Sequence, residues 1–461
     1  MRPKRINPGR REWTIGSGGG ILFPMNLSAQ IREAGVVGAG GAGFPTYVKA
    51  QAQVEYVIAN GAECEPLLQK DSQLLEQYAA EVVAGLELLR EATGASQAAA
   101  GLKAKHVAAV AALRAAVAGR GIELHLLDDF YPAGDEYELV YEITGRLIPP
   151  AGLPLQVGCV VNNVETLYNV ARAAAGQPVT HKFLSIAGAV VHPVTAAVPL
   201  GTSFREALSL AGGTAVEPVA VWVGGAMMGT LTFDLETPIT KTTTGLIVLP
   251  VDHPLVQRKN RPESEMHRIG KSACDQCSYC TELCPRYLLG YEVQPHRVMR
   301  SLGLTASGGE LWTKWGELCC ACGLCTLYAC PEDLFPKEAC DRAKRVQREH
   351  HLRWTGTGGP VLPHPLRASR RVPLKQLVRR LGLADYDVPA PLTSVELQPR
   401  RVRLPLRQHI GVPARPLVSV GDRVRRGEKV ADVPPDQLGV PVHASVEGVV
   451  RQVGEEVLLE V

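Results

Sequence analysis

CDQCSYCTELCP, from Cys274 to Pro285, and CCACGLCTLYACP, from Cys319 to Pro331, carry nine of the chain's twelve cysteines. Thiols two residues apart suit metal ligation better than the pairing that staples an exported protein. Cys274, Cys277, Cys280 and Cys284 form CxxCxxCxxxCP; Cys319, Cys322, Cys325 and Cys330 repeat it with one extra residue before the last cysteine. Three closely spaced thiolates grip one face of a [4Fe–4S] cubane, and the fourth, followed by proline, reaches a second cubane instead. The crossed sets are therefore Cys274, Cys277, Cys280 and Cys330 for one cluster, and Cys319, Cys322, Cys325 and Cys284 for the other. Zinc knuckles use paired CxxC units and leave the triple spacing unexplained. Cys320 remains a spare thiol beside the second cluster, while Cys159 and Cys340 read as structural.

Outward from this region, 461 residues exceed what one hydrophobic core supports, so two to four domains are expected. Apolar residues make up 46% and charged residues 21%, and a formal charge of +3 gives no pull toward nucleic acid. Clustered ligand-type cysteines imply a reducing, cytoplasmic setting. Two stretches without formal charge, Phe183 to Phe204 and Pro218 to Phe233, are broken by Pro or Gly, so no membrane span is expected. The basic N-terminus contains Arg10 and Arg11, but Gly16 to Gly20 and Pro24 interrupt the apolar core that a twin-arginine signal requires. Residues 1–24 read as a disordered extension.

The expected fold class is multidomain, α/β plus α+β. From Ser28 a short capped helix leads into a glycine loop, VEYVIANGAE is a buried strand, and Gln77 to Arg90 places Val82, Leu86 and Leu89 on one helical face. Gly101 to Leu127 then alternates strand, helix and strand, which implies a parallel sheet over residues 25–176. Short strands punctuated by Gly and Pro mark a second unit, 177–255. The cysteine region occupies 256–345, with helical connections such as PHRVMRSLG. Residues 346–400, rich in Arg, Pro and Gly, read as a linker or surface strap. Residues 401–461 return to short strands, a small β module.

GAGGAG, Gly38 to Gly43, matches the bare dinucleotide pattern GxGxxG, yet the helix-like SAQIREAG before it and Pro45 after it do not fit a strand, loop and helix. Its backbone amides can still cradle a phosphate, and Lys49 is near enough to add charge. GAGGAGFPTYVK, NGAECEP (Asn60 to Pro66), YPAGDE (Tyr131 to Glu136) and VVNNVETLYNV (Val160 to Val170) resemble, in order, blocks of the flavin-binding subunit of respiratory complex I. Joined to two ferredoxin-type runs, they resemble the C-subunit family of Rnf electron-transport complexes. With the β module last, the order of parts is most similar to the cobalamin reductases of propanediol utilisation.

The resemblance implies FMN held without a covalent link by Gly38, Gly40, Gly41 and Lys49 around its phosphate. Asn60, Glu63, Tyr131, Gly134, Asp135, Asn162, Asn163 and Thr166 would line the flavin; Phe44, Glu65 and Glu136 would meet the nicotinamide nucleotide. Ala39 and Ala62 replace an arginine and an aspartate of complex I, and no basic residue follows Arg146 where one is expected. Lys182 to Gly213 resembles an SLBB β-grasp unit. IGVPARPLVSVGDRVRRGEKVADV and PVHASVEGVV resemble a barrel-sandwich hybrid of the lipoyl and biotinyl kind, but its hairpin tip, PPDQLG, contains no lysine to modify.

NADH delivers two electrons as a hydride, whereas an iron–sulfur cluster accepts one, and a flavin converts between them. The implied function is therefore an oxidoreductase passing electrons from NADH through FMN and two [4Fe–4S] clusters to a partner: a corrinoid, as in a cobalamin reductase, or another protein. No catalytic acid or base is required. The alternatives are an Rnf-type subunit peripheral to a membrane, a non-catalytic electron-transfer adaptor, and a cobalamin- or glycan-binding module. A microcompartment setting is also implied by the resemblance, and the β module is expected to dock a partner.

Overall fold

The computed structural model describes residues 26–303, 314–352, 356 and 359–461; the expected N-terminal extension lies outside them. Asn26 caps α1 (Leu27–Glu33) by accepting from the Ala29 amide, as a short polar side chain does at a helix start. The glycine loop follows, then the single turn α2 (Thr46–Lys49). Strands β1 (Tyr56–Gly61), β2 (Gln97–Lys103), β3 (Ile122–Leu127) and β5 (Cys159–Asn163) form a fully parallel sheet in the order β3-β2-β1-β5; β4 (Phe130–Tyr131) lies outside it. Their apolar runs carry little alternation because helices cover the sheet. The helices are α3 (Lys70–Thr93), α4 (Val107–Val117), α5 (Glu136–Thr144) and α6 (Val164–Ala174).

The expected helix at Gln77 begins earlier, at Lys70, and its backbone breaks from helical geometry at Tyr78 (φ −128°, ψ 28°). That break lies where the apolar periodicity starts: Val82, Leu86 and Leu89 are fully buried beyond it. A Cβ on Gly85 would lie 1.9 Å from the Leu167 carbonyl oxygen, so only glycine lets α3 and α6 approach this closely.

A second sheet, ordered β7-β6-β10-β8-β9, contains β6 (His181–Gly188), β7 (Val194–Pro199), β8 (Val219–Val223), β9 (Thr230–Thr232) and β10 (Gly245–Pro250). β6 and β10, its first and last strands in sequence, are parallel neighbours, and the other pairs are antiparallel. The two charge-free stretches are largely its buried strands. Short helices, among them Glu263–Ala273, Pro295–Ser301 and Pro336–Glu349, surround the cysteine loops.

Residues 346–400 do more than link. Within them β11 (Val372–Pro373) pairs antiparallel with β4, the helix Leu374–Arg380 buries Leu377 and Val378, and Leu392 bridges to Thr195. A seven-residue helix is too short to show periodicity in sequence. The last module packs two sheets: β12 (Arg401–Pro405), β18 (Glu456–Glu460), β17 (Gly448–Val453) and β14 (Arg423–Val424), against β13 (Arg415–Pro416), β15 (Lys429–Asp432) and β16 (Val442–His443). Its Val402, Val450 and Leu459 join Val57, Leu75 and Leu86 in one continuous core, so the module is fused to the parallel-sheet domain.

Candidate cofactor sites

In an open parallel sheet, ligands bind beyond the carboxyl ends of the strands where the strand order reverses. Here that point lies between β1 and β5, whose register sets Asn60 beside Asn163 and Ala59 beside Asn162. The glycine loop reaches the same crevice: the Ala39 amide donates to Thr166 Oγ1 at 2.9 Å, and a Cβ on Gly40 would lie 3.3 Å from that of Asn163. Gly41, at φ +110°, has open space on its Cβ side. Gly38 donates to the Phe44 carbonyl (2.9 Å) and so folds the loop back on itself. Asn60 Nδ2 donates to the Gly134 carbonyl at 2.9 Å, bringing YPAGDE alongside NGAECEP. A Cβ at Gly134 would lie 2.4 Å from the Ala62 oxygen, so this approach also requires glycine.

Two observations fit a flavin nucleotide in this crevice. Asn162 Nδ2 is buried with no hydrogen-bond partner among the described residues, a donor free for a ring acceptor. The glycine loop leaves exposed backbone at Gly40 and Gly41, which a phosphate could approach closely. Lys49 is half-buried at this rim, donating to the Val161 carbonyl (2.6 Å) and lying 3.9 Å from Glu136. Burial pulls its pKa down against the pull of Glu136.

Beneath the loop lies an ionic network that sequence reasoning did not find. Glu165 pairs with Lys70 (3.2 Å) and with Lys182, and Lys70 also pairs with Asp71. Lys182, from β6, donates at 3.0 Å to the Ala39 carbonyl, so the second sheet holds the glycine loop. Asn163 caps α6 through the Glu165 amide and donates to Asp71 at 2.7 Å. Burial opposes charge on Lys70, but Asp71 and Glu165 outweigh it and hold the pKa above the ordinary range. Burial wins at Lys182, which falls to about 8. Glu63, which accepts from the Asp71 amide (3.0 Å), is pushed up to about 8 by burial and by Asp71. The one available signal was a lysine within the apolar strand KFLSIAG.

Other expected site residues sit at domain contacts. Asp135 caps α5 by accepting from the Tyr137 amide (3.0 Å), and it receives both terminal nitrogens of Arg286, whose guanidinium lies 3.7 Å over the Tyr137 ring. Tyr131, fully buried, donates its hydroxyl to the Cys322 carbonyl at 2.7 Å. Glu65 accepts from the Met227 and Met228 amides (both 2.9 Å), and burial raises its pKa to about 7. Glu136 stands at the mouth with its side chain 45% exposed, and Phe44 is half-buried at the end of the glycine loop. Ala39 and Ala62 are buried. Arg146 binds Glu55, just before β1, at the amino end of the sheet and away from the crevice.

The thiols group across the two runs. Burial and the neighbouring Cys274, Cys330 and Cys277 push Cys280 up to about 12. Cys284 is raised by burial and by Cys320 and Cys319, and Cys325 by burial, Cys319, Cys280 and Cys284. Cys330 packs in one apolar cluster with Cys274 of the first run, and Cys284 in another with Cys319 of the second. Burial and crowding disfavour the thiolate form at these cysteines, a cost that bound cluster iron would offset by taking thiolates. Among the described residues no three ligating side chains converge as on a single ion. Cys340 is fully buried in a cluster with Cys319, and Cys320 packs on the apolar core that contains Cys322. Neither is isolated from the second set.

Residues 31–172 match the Nuo51 FMN-binding domain, 273–335 a 4Fe-4S dicluster domain, and 390–460 the RnfC barrel sandwich hybrid domain. The chain is 44% identical over 440 residues to cobalamin reductase PduS of Salmonella typhimurium, covering 94% of this chain and 97% of the relative. A second cobalamin reductase PduS, from Citrobacter freundii, is 44% identical over 93% of this chain and 94% of its own length. The C-subunit of the proton-translocating ferredoxin:NAD(+) oxidoreductase complex of Clostridium ljungdahlii is 33% identical over 56% of this chain and 55% of its own length. FMN and [4Fe–4S] clusters are thus the cofactors of this architecture, and its chemistry is flavin and iron–sulfur electron transfer. The chain belongs to the cobalamin reductase PduS family of RnfC-like oxidoreductases.

Proposed function

We propose that this oxidoreductase takes electrons from NADH and delivers them to a corrinoid. The observation that carries the reading is the meeting of four separated blocks at one crevice, with Asn162 Nδ2 unpartnered among the described residues and Tyr131 tying that crevice to Cys322. Bound FMN would supply the conversion of a hydride into single electrons. Gly38, Gly40, Gly41 and Lys49 would hold the phosphate. Asn60, Glu63, Tyr131, Gly134, Asp135, Asn162, Asn163 and Thr166 line or brace the ring site. Glu136 and Phe44, at the mouth, would orient the nicotinamide nucleotide; Glu65 would do so while anchored by two amides of the second sheet. The eight crossed cysteines would hold the clusters.

The central parallel pair β6 and β10 supports an SLBB β-grasp assignment for 177–255, and the crossed thiols support a ferredoxin-like arrangement in 256–345. The remaining boundaries are 25–176 for the flavin domain, 346–400 for a structured strap and 401–461 for a partner-docking barrel-sandwich module. Among the described residues no helix is long and apolar enough to cross a membrane, which accords with action in the cytoplasm or a microcompartment. Anaerobic mixing with NADH tests the function: flavin and clusters should bleach, and a cob(III)alamin should then be reduced. An adaptor whose nucleotide site is degenerate, a reading favoured by Ala39 and Ala62, would contain the clusters but oxidise no NADH even with an artificial acceptor.

A further inference from the structure

We infer that electrons enter the cluster pair at Cys284, Cys319, Cys322 and Cys325 and leave from Cys274, Cys277, Cys280 and Cys330. The inference rests on the flavin and iron–sulfur reading and gives it a direction. Three contacts join the flavin crevice to the second set. The Tyr131 hydroxyl donates to the carbonyl of Cys322 itself, 2.7 Å away. Arg286, two residues after Cys284, spans to Asp135 of YPAGDE and stacks on Tyr137. Cys64 of NGAECEP and Cys320 pack on the same apolar core as Tyr131 and Cys322. The Tyr131 contact is buried, as a path for electrons through packed protein requires, and the Arg286 contact is part-buried with Arg286 itself only 7% exposed.

The first set is placed differently. Cys277 is exposed, Cys274 is half-buried, and Tyr279 between Cys277 and Cys280 is 51% exposed. Its side-chain hydrogen bonds run to its own region and the strap: Thr281 to His296, and Arg380 to the Cys330 carbonyl. Among the described residues, no hydrogen bond or ion pair runs from residues 274–280 to the flavin domain. The turn Tyr279–Glu282, which carries Cys280, packs against Cys325–Ala329, so the two sets adjoin. An inner set against the flavin crevice and an outer set at the surface define one polarity.

The electron balance is simple. NADH becomes NAD+, its hydride bringing two electrons and a proton; the proton goes to solvent. With iron bound, the inner cysteines would hold the cluster that receives electrons singly and the outer cysteines the one that passes them on, and two one-electron reductions of the acceptor would complete the turnover. The Cys277 face is where a corrinoid or acceptor protein must approach.

The test uses full-length protein loaded with FMN and iron, followed anaerobically by electron paramagnetic resonance. Cys277→Ala should lose one cluster while the other is still reduced by NADH. Cys322→Ala should keep a cluster that dithionite reduces and NADH does not. The converse pattern overturns the polarity. If either variant loses both clusters, rapid freezing of wild-type protein decides: the signal appearing first after NADH should be the one less broadened by a soluble dysprosium complex. A first signal that is the more broadened one overturns the inference. A flavin that stays oxidised with NADH overturns the choice of donor alone, and light with EDTA then reduces the bound flavin so that the same order is read.

Discussion

At the scale of single residues, the flavin crevice depends on groups whose hydrogen bonding is left open or closed by close packing. Asn162 Nδ2 is buried without a partner among the described residues, so removing it deletes no hydrogen bond of the cofactor-free chain. Asn162→Ala should therefore leave the melting temperature of flavin-free protein nearly unchanged while weakening FMN binding by about tenfold, the loss of one hydrogen bond of about 1.4 kcal/mol. Flavin fluorescence titration beside calorimetry checks both halves. Gly134→Ala should be harsher: a Cβ 2.4 Å from the Ala62 carbonyl oxygen must push YPAGDE away from NGAECEP. Purified variant should retain iron but little flavin. Both residues were legible in sequence because each lies in a block of recognisable order. The reason each matters was not, since an unpaired amide and a 2.4 Å approach are facts of packing.

At the scale of elements, α3 and α6 cover one face of the sheet and present Asn163 at their meeting point with the loop. Gly85 sets their separation, with the Leu167 oxygen 1.9 Å from where a Cβ would sit. Gly85→Ala should destabilise the chain by about 1–3 kcal/mol through overpacking, lowering the flavin domain's denaturation midpoint. Bound cofactor should recover part of the loss by mass action. The amphipathic face of α3 was readable from Val82, Leu86 and Leu89, because helical periodicity is local. Its first two turns were not, because Lys70 and Asp71 are buried and paired with Glu165 and Asn163 from other elements, while Ser72 is buried against the helix start through the Gln69 carbonyl. The order within the strap was not legible for a related reason: it comes from β4, Thr195 and a core shared with the second sheet.

At the scale of the whole molecule, Lys241 joins three units. Fully buried, it donates to the Gly35 carbonyl (2.8 Å) before the glycine loop and to the Pro441 carbonyl (2.9 Å) beside the barrel tip. Among the described residues no carboxylate balances it, and burial lowers its pKa from 10.5 to about 7. The unfolded chain takes up this proton near 10.5 and the folded chain only near 7, so the contribution is present above 10.5 and is lost as pH falls toward 7. Lys241→Met should flatten the pH dependence of stability between these values, by up to about 1.4 kcal/mol per pH unit, and lower stability at high pH where two hydrogen bonds are lost. Chemical denaturation at about pH 7, 8.5 and 10 measures this. The sequence by itself determined the cysteine spacing, the order of modules and the parallel sheet, because ligand-type spacing, glycine loops and apolar periodicity are written within short windows. Only the tertiary structure decided that β6 supplies a lysine to the glycine loop, that the final module shares the flavin domain's core, and that Tyr131 meets Cys322 of the second cysteine run. Those outcomes depend on contacts between distant segments, and buried charges reveal their partners only once the chain has brought them together.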